Sequence, residues 1–203
     1  MSRVVLLSGA PCAGSRVERI AAWCARQCLR SGAEAEVFTG DDLDFPSFRP
    51  DRPDRDVRQR RYLSAMADCD GVVLLSPAYH GTLSGLLKNA LDYVNDLAGD
   101  HRPYLDGRAV GCVAVSAGGQ AATTTLATLR VVAHALRGWP TPMGVALAGP
   151  RAALDADGDP ADPVSRDRLR LMLDQVLDLA EFSRGRRGSR TAGIPAPADP
   201  AGV

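Results

Sequence analysis

The sequence predicts a doubly wound α/β domain, a parallel sheet covered by helices on both faces. Three observations carry this: five short apolar runs too brief for helices, segments of helical spacing between them, and a small-residue loop opening onto a well-signalled helix start. The runs are Val4 to Leu7, Ala35 to Phe38, Val72 to Leu75, Val110 to Val115 and Gly144 to Leu147. Strands buried on both faces read as continuous apolar segments, and their alternation with helices implies parallel pairing.

In the first helix Ser15 and Glu18 form a Ser-x-x-Glu capping box, Val17, Ile20, Ala21, Cys24 and Cys28 share one face, and Gly32 ends it. Cys24 and Cys28 lie on that apolar stripe, where free cysteine acts as a small hydrophobe more often than as a metal ligand. From Asp41 to Arg61 the chain is rich in Asp, Arg and Pro, with Phe45-Pro46-Ser47-Phe48 embedded. It reads as a solvated loop and helix face, with the second helix ending near Asp68.

The third helix carries Leu83, Leu86, Leu87, Ala90, Leu91, Tyr93, Val94 and Leu97, an apolar surface wider than one sheet contact requires. A partner helix is the simplest explanation. Lys88, on the same helix, is the only lysine in a chain whose other basic side chains are arginine. Either chance put it there or the position is one where arginine would not do. Past Arg184 the composition turns to Gly, Ser, Pro, Ala and Arg without periodicity, so residues 1–184 read as one domain and 185–203 as a flexible tail.

A length of 203 residues suits one such domain. Zero formal net charge argues against nucleic acid or an anionic membrane surface as the main partner and favours small molecules. Five cysteines without a C-x-x-C pair argue against a disulfide framework or a zinc site, which fits a reducing cytoplasm. The apolar run after Met1 is too short for a signal-peptide core, and no stretch approaches the roughly 18 apolar residues of a membrane span. The expectation is a soluble cytoplasmic protein with no membrane partner. Leu154-Asp155-Ala156-Asp157-Gly158 mimics part of a calcium loop, but its glycine is misplaced and Arg166 stands where the bidentate glutamate belongs, so it reads as a turn and no metal site is expected.

Open parallel sheets bind ligands beyond the carboxyl ends of their strands, where strand order reverses. Three loops have that position. After the first strand, Ser8 and Gly9 lead through small residues to Ser15, Arg16 and Val17 at a helix N-terminus, whose free N–H groups and positive dipole end suit a phosphate. The segment lacks the Gly-Lys-Ser/Thr ending of a nucleotide P-loop and the dinucleotide glycine spacing, so alone it reads as an ordinary turn more often than as a phosphate site. After the third strand, Pro77, Ala78, Tyr79, His80 and Gly81 provide a stiff entry, two flat side chains and a close backbone approach. After the fourth, Ser116, Ala117, Gly118, Gly119 and Gln120 form a bare rim. Together the loops suit a flat heterocycle with a phosphate tail. His101 and His134 have no partner pattern and read as structural.

Residues 76–92 resemble the NAD(P)H-dependent FMN reductase family of flavodoxin-like proteins, which read Thr/Ser-Pro-Glu-Tyr-Asn-Gly-x-x-x-Gly-x-Leu-Lys-Asn-x-Leu-Asp after strand three. Ser76, Pro77, Tyr79, Gly81, Gly85, Leu87, Lys88, Asn89, Leu91 and Asp92 match. The likeness runs from Val4 to about Phe182 and includes the reductases of two-component monooxygenase systems. It implies a flavodoxin-like, five-stranded sheet of order 2-1-3-4-5 and an FMN whose phosphate rests on the loop from Ser8 to Val17. The ring would lie between the Pro77–Gly81 and Ser116–Gln120 loops, with NADPH or NADH as hydride donor. Acceptors in such systems are free flavin, a quinone, oxygen or a partner monooxygenase. No side chain need act as a base, so no catalytic residue is assigned. The resemblance also implies a homodimer or tetramer through the helix 83–97, with Lys88 reaching a carboxylate of the other subunit. The alternative is an FMN-binding electron carrier or subunit that does not use pyridine nucleotide.

The chain departs from the family's Gly-Ser-x-Arg-x-x-Ser loop at Ala10 and Cys12. Cys12 replaces an arginine that helps bind the pyridine nucleotide, a charged hydrogen bond of about 1.5 to 3 kcal/mol. It is either a thiol activated by the helix N-terminus or a plain small replacement. Arg16 compensates towards the flavin phosphate. His80, where the family often has asparagine, either contacts the flavin ring or caps the turn.

Overall fold

The structure is a computed structural model that describes residues 1–191. Its sheet comprises β1 (Arg3–Ser8), β2 (Glu34–Phe38), β3 (Gly71–Tyr79), β4 (Thr82–Leu83), β5 (Ala109–Ser116), β6 (Trp139–Pro140) and β7 (Val145–Ala148). The order is β2-β1-β3-β5-β6, with β7 also parallel to β5. β6 pairs with Ala109 and Val110, and β7 with Val113 to Ser116, so the two are halves of one edge strand interrupted around Pro142. Proline has no N–H to give to a ladder. With the halves counted as one and the two-residue β4, which pairs only with β3, left out of the numbering, the order is the expected 2-1-3-4-5.

The helices are α1 (Arg16–Arg30), α2 (Gly40–Leu43), α3 (Val57–Asp68), α4 (Gly85–Tyr93), α5 (Gly119–Ala135) and α6 (Pro163–Thr191), with 3-10 turns at Val94–Leu97 and Gly149–Ala152. Side chains alternate across the strands. Val4, Leu6, Val73 and Val113 pack beneath α1 and α6, while Val5, Leu7, Leu74 and Cys112 pack beneath α3, α4 and α5. α6 runs past Arg184, where the tail was expected to begin, as far as Thr191. The expected flexibility of 192–203 lies outside the described residues.

α1 starts where its capping signal placed it. Ser15 Oγ accepts the Glu18 N–H at 3.2 Å, and Gly32 follows the helix with φ 78°. Cys24, Cys28, Cys69 and Cys112 are buried. Burial pushes the Cys28 thiol up to about 11 and Cys112 up to about 12, so both stay protonated at neutral pH. Among the described residues no group of three His, Cys, Asp or Glu could hold a metal, and no helix is long and apolar enough to cross a membrane. At residues 154–158 the Asp155 carboxylate accepts the backbone N–H groups of Asp157 and Asp159, the pattern of a turn.

The segment 45–48 corrects the sequence expectation of a solvated loop. Phe45 is buried, its ring 5.4 Å from Tyr62 and 5.1 Å from Tyr93, and Phe48 packs 5.2 Å from Tyr93. Asn89 on α4 binds it in place: its amide nitrogen donates to the Phe45 and Pro46 carbonyls and its oxygen accepts the Phe48 N–H. This segment, with α3, covers the far side of α4 and buries Leu87, Ala90, Leu91, Tyr93 and Val94 within the chain. The wide apolar face that pointed to a partner helix is thus mostly satisfied internally. Lys88 pairs with Asp92 one turn along the same helix at 2.6 Å, both side chains exposed.

Candidate functional site

The chain leaves β1 towards β2 on one side and returns to β3 on the other, so a crevice opens at the carboxyl ends of β1 and β3. The loop after β1 is anchored only at its base. Gly9 N–H donates to the Leu75 carbonyl at 2.8 Å, and a Cβ on Gly9 would stand 2.6 Å from Leu87 Cβ and 2.9 Å from Ser84 Oγ. Gly9 is therefore demanded by packing against α4. Gly40 does the same on the other flank, where a Cβ would collide with the Ala10 carbonyl. From Pro11 to Gly14 the loop is exposed, with Cys12 at its outer part.

Ser8 and Val17, two of the expected phosphate contacts, turn their side chains into the protein: both are buried, Val17 on the apolar face of α1. Strand alternation and the helix stripe dictate this, leaving only their backbone for a ligand. Ser8 Oγ, at the base of the loop, has no hydrogen-bond partner among the described residues. Arg16 is exposed, with no side-chain partner among them. The Gly14 N–H is already engaged, donating to the Glu18 carboxylate at 2.8 Å. An anion is thus seated on the loop amide in the position the sequence assigned to a phosphate.

The segment after β3 is a hairpin the sequence did not reveal. β3 continues to Tyr79 and pairs antiparallel with β4, Ala78 opposite Leu83 and Tyr79 opposite Thr82. His80 at φ 51° and Gly81 at φ 82° make the two-residue turn, whose primed geometry requires left-handed backbone at both positions. His80 is exposed, Pro77 and Ala78 are half-buried, and Tyr79 is 48 % exposed.

Ser84 locks this hairpin to the first loop, a role sequence reasoning missed. Its hydroxyl donates to the Gly9 carbonyl at 2.6 Å and accepts the Leu87 N–H at 3.1 Å, and its N–H donates to Ser76 Oγ at 2.9 Å. A serine directly before the apolar run of α4 is a helix-cap signal. Its bond to Gly9, 75 residues away, has no local signature.

The loop after β5 completes the rim. Ser116 is half-buried and donates to the Gly118 carbonyl, while Ala117, Gly118, Gly119 and Gln120 are exposed. Gly118 caps α5 without a side-chain bond, so the first-turn amides there keep no side-chain acceptor. A Cβ on Gly81 would lie 3.6 Å from Thr124 Oγ1, which places the β3 turn beside the first turns of α5.

The donor set fits FMN. Two helix starts with spare amides and an unpaired arginine suit a phosphate, next to a loop amide, that of Gly14, on which a carboxylate already stands. Tyr79 and His80 are exposed, and the Ser116–Gln120 rim across from their turn is made mostly of small residues, as a planar ring needs.

Known proteins agree with this geometry. A family profile described as NADPH-dependent FMN reductase matches residues 2–151. The chain is 27 % identical over 186 residues to an FMN-dependent NADPH-azoreductase of Staphylococcus aureus, covering 88 % of this chain and 95 % of that one. In structure it resembles the flavoenzyme NAD(P)H:(acceptor) oxidoreductase FerB of Paracoccus denitrificans, with TM-score 0.76 and 19 % identity over 90 % of this chain and 99 % of that one. It also resembles a WrbA-like flavodoxin of Agrobacterium tumefaciens, with TM-score 0.57 and 17 % identity over 91 % and 99 %. The sheet is flavodoxin-like, and the chain belongs to the NADPH-dependent FMN reductase family of oxidoreductases.

Proposed function

We propose that this protein binds FMN at the crevice between β1 and β3 and reduces a small, planar acceptor, such as free flavin, a quinone or an azo compound, at the expense of NADPH or NADH. The observation that carries this reading is the Glu18 carboxylate on the Gly14 amide beside unpaired Arg16, an anion seat at the reversal of strand order. When bound, FMN supplies the two-electron chemistry, taking hydride from the nicotinamide and passing electrons on.

The chain's own contribution is positioning. Arg16 and the amides from Gly14 onward hold the phosphate, the turn at His80 and Gly81 brings backbone against one edge of the ring, and the Ser116–Gln120 rim borders the other. Tyr79 and Gln120 are exposed, on the two loops that would border the ring. A specific observation favours the electron-carrier alternative: no guanidinium occupies position 12, where the family places one for the pyridine nucleotide.

The test is anaerobic mixing of FMN-reconstituted protein with NADPH or NADH while following flavin absorbance. Loss of the oxidised band with at least one nucleotide is the expected result. An unchanged spectrum with both turns the assignment to the electron carrier.

A further inference from the structure

We propose that Glu18 is a resident rival of the flavin phosphate, one that makes the flavin an exchangeable substrate and not a tightly held prosthetic group. The proposal rests on the FMN assignment above. In a standard capping box the glutamate at the third helical position returns to the N–H of the cap residue. Here it passes Ser15 and accepts the N–H of Gly14 at 2.8 Å, in the exposed part of the loop. Gly14 holds φ 69° and has open space where a Cβ would be. That amide is therefore both a natural anion donor and already committed to a negative charge.

The neighbouring cations do not offset this. Arg19, one turn along α1, is turned to the Asp155 carbonyl, and Arg26 to Gly158 and Asp159. Arg16 alone remains unpaired beside the loop. A phosphate dianion must displace the Glu18 carboxylate or sit next to it, and in either case the loop carries one guanidinium and one carboxylate before the ligand arrives. The phosphate consequently adds little to flavin affinity, and the isoalloxazine contacts carry most of it.

The experiment compares FMN and riboflavin binding, by flavin fluorescence, to wild type and Glu18→Gln. The glutamine keeps an oxygen for the Gly14 N–H and hence the helix start, while removing the charge. FMN should bind about tenfold more tightly to the variant, with riboflavin unchanged. Equal changes for both flavins, or no gain for FMN, overturn the proposal. Should the variant fail to fold, wild type decides: an FMN to riboflavin affinity ratio under about ten supports the proposal, and a larger ratio overturns it. Binding of neither flavin to the wild type overturns the FMN assignment and this proposal together, whereas tight, phosphate-driven FMN binding overturns only the proposal.

Discussion

The loop after β1 and the hairpin after β3 lie side by side at the reversal of strand order, yet they are held by opposite means. The hairpin is fastened from within: Ser76 and Ser84 are buried, Ser84 makes bonds to Gly9, Leu87 and Ser76, and the turn has one defined left-handed geometry. The loop is fastened only at its base, by Gly9 and Ala10, and its exposed residues rely on one capping serine and one surface carboxylate. The hairpin thus presents a preformed edge to a flat ring, while the loop holds its Gly14 amide on a carboxylate that an incoming anion must displace or adjoin. Preorganisation is concentrated where shape must be matched, and openness where charge must be exchanged.

Substitutions in the two regions should separate them. The largest effect is expected where they meet. Gly9→Ala forces a methyl to within 2.6 Å of Leu87 Cβ, a backbone-proximal atom that cannot swing aside. A loss of about 2 to 3 kcal/mol in urea unfolding is expected; a fully stable variant would show that the base of the loop is not pinned to α4. Ser84→Ala comes next. It strands the Gly9 carbonyl and the Leu87 N–H at the hairpin's anchor and should cost about 1 to 2 kcal/mol by thermal unfolding. It should also weaken flavin binding, because the loop base loses its tie to β3. Gly14→Ala should be mildest, since nothing lies near the new methyl and only the positive φ is strained, at about 1 kcal/mol. If Gly14→Ala cost more than Gly9→Ala, the comparison would be the wrong way round.

Much of the fold was legible in the chain. The five apolar runs coincide with the main strands, and Ser15 with Glu18 marked the start of α1 within a residue. The three rim loops were placed at one end of the sheet by topology alone. Other features were hidden for identifiable reasons. Phe45 and Phe48 sit in a stretch whose Asp, Arg and Pro content reads as solvated, and only the folded chain shows them turned onto Tyr93. The breadth of apolar residues on α4 was visible, but a sequence pattern states how much surface must be covered and not what covers it. Lys88, conspicuous by being the only lysine, forms an ordinary exposed pair with Asp92, a type of contact worth about 0.3 to 0.5 kcal/mol.

The sequence alone determined the alternation of buried strands and amphipathic helices, the small-residue loop ahead of α1 and the motif from Ser76 to Asp92, because periodicity, caps and short motifs are local. Only the tertiary structure decided that Phe45 turns onto Tyr93, that Ser84 bridges Gly9 and Ser76, and that Glu18 stands on the Gly14 amide. The first two depend on which distant elements the topology brings together, and burying a polar group favours it only when such a partner is present. The third was within reach of a capping signal, but the choice between the N–H of Ser15 and that of Gly14 is made by loop geometry, which residue spacing does not encode.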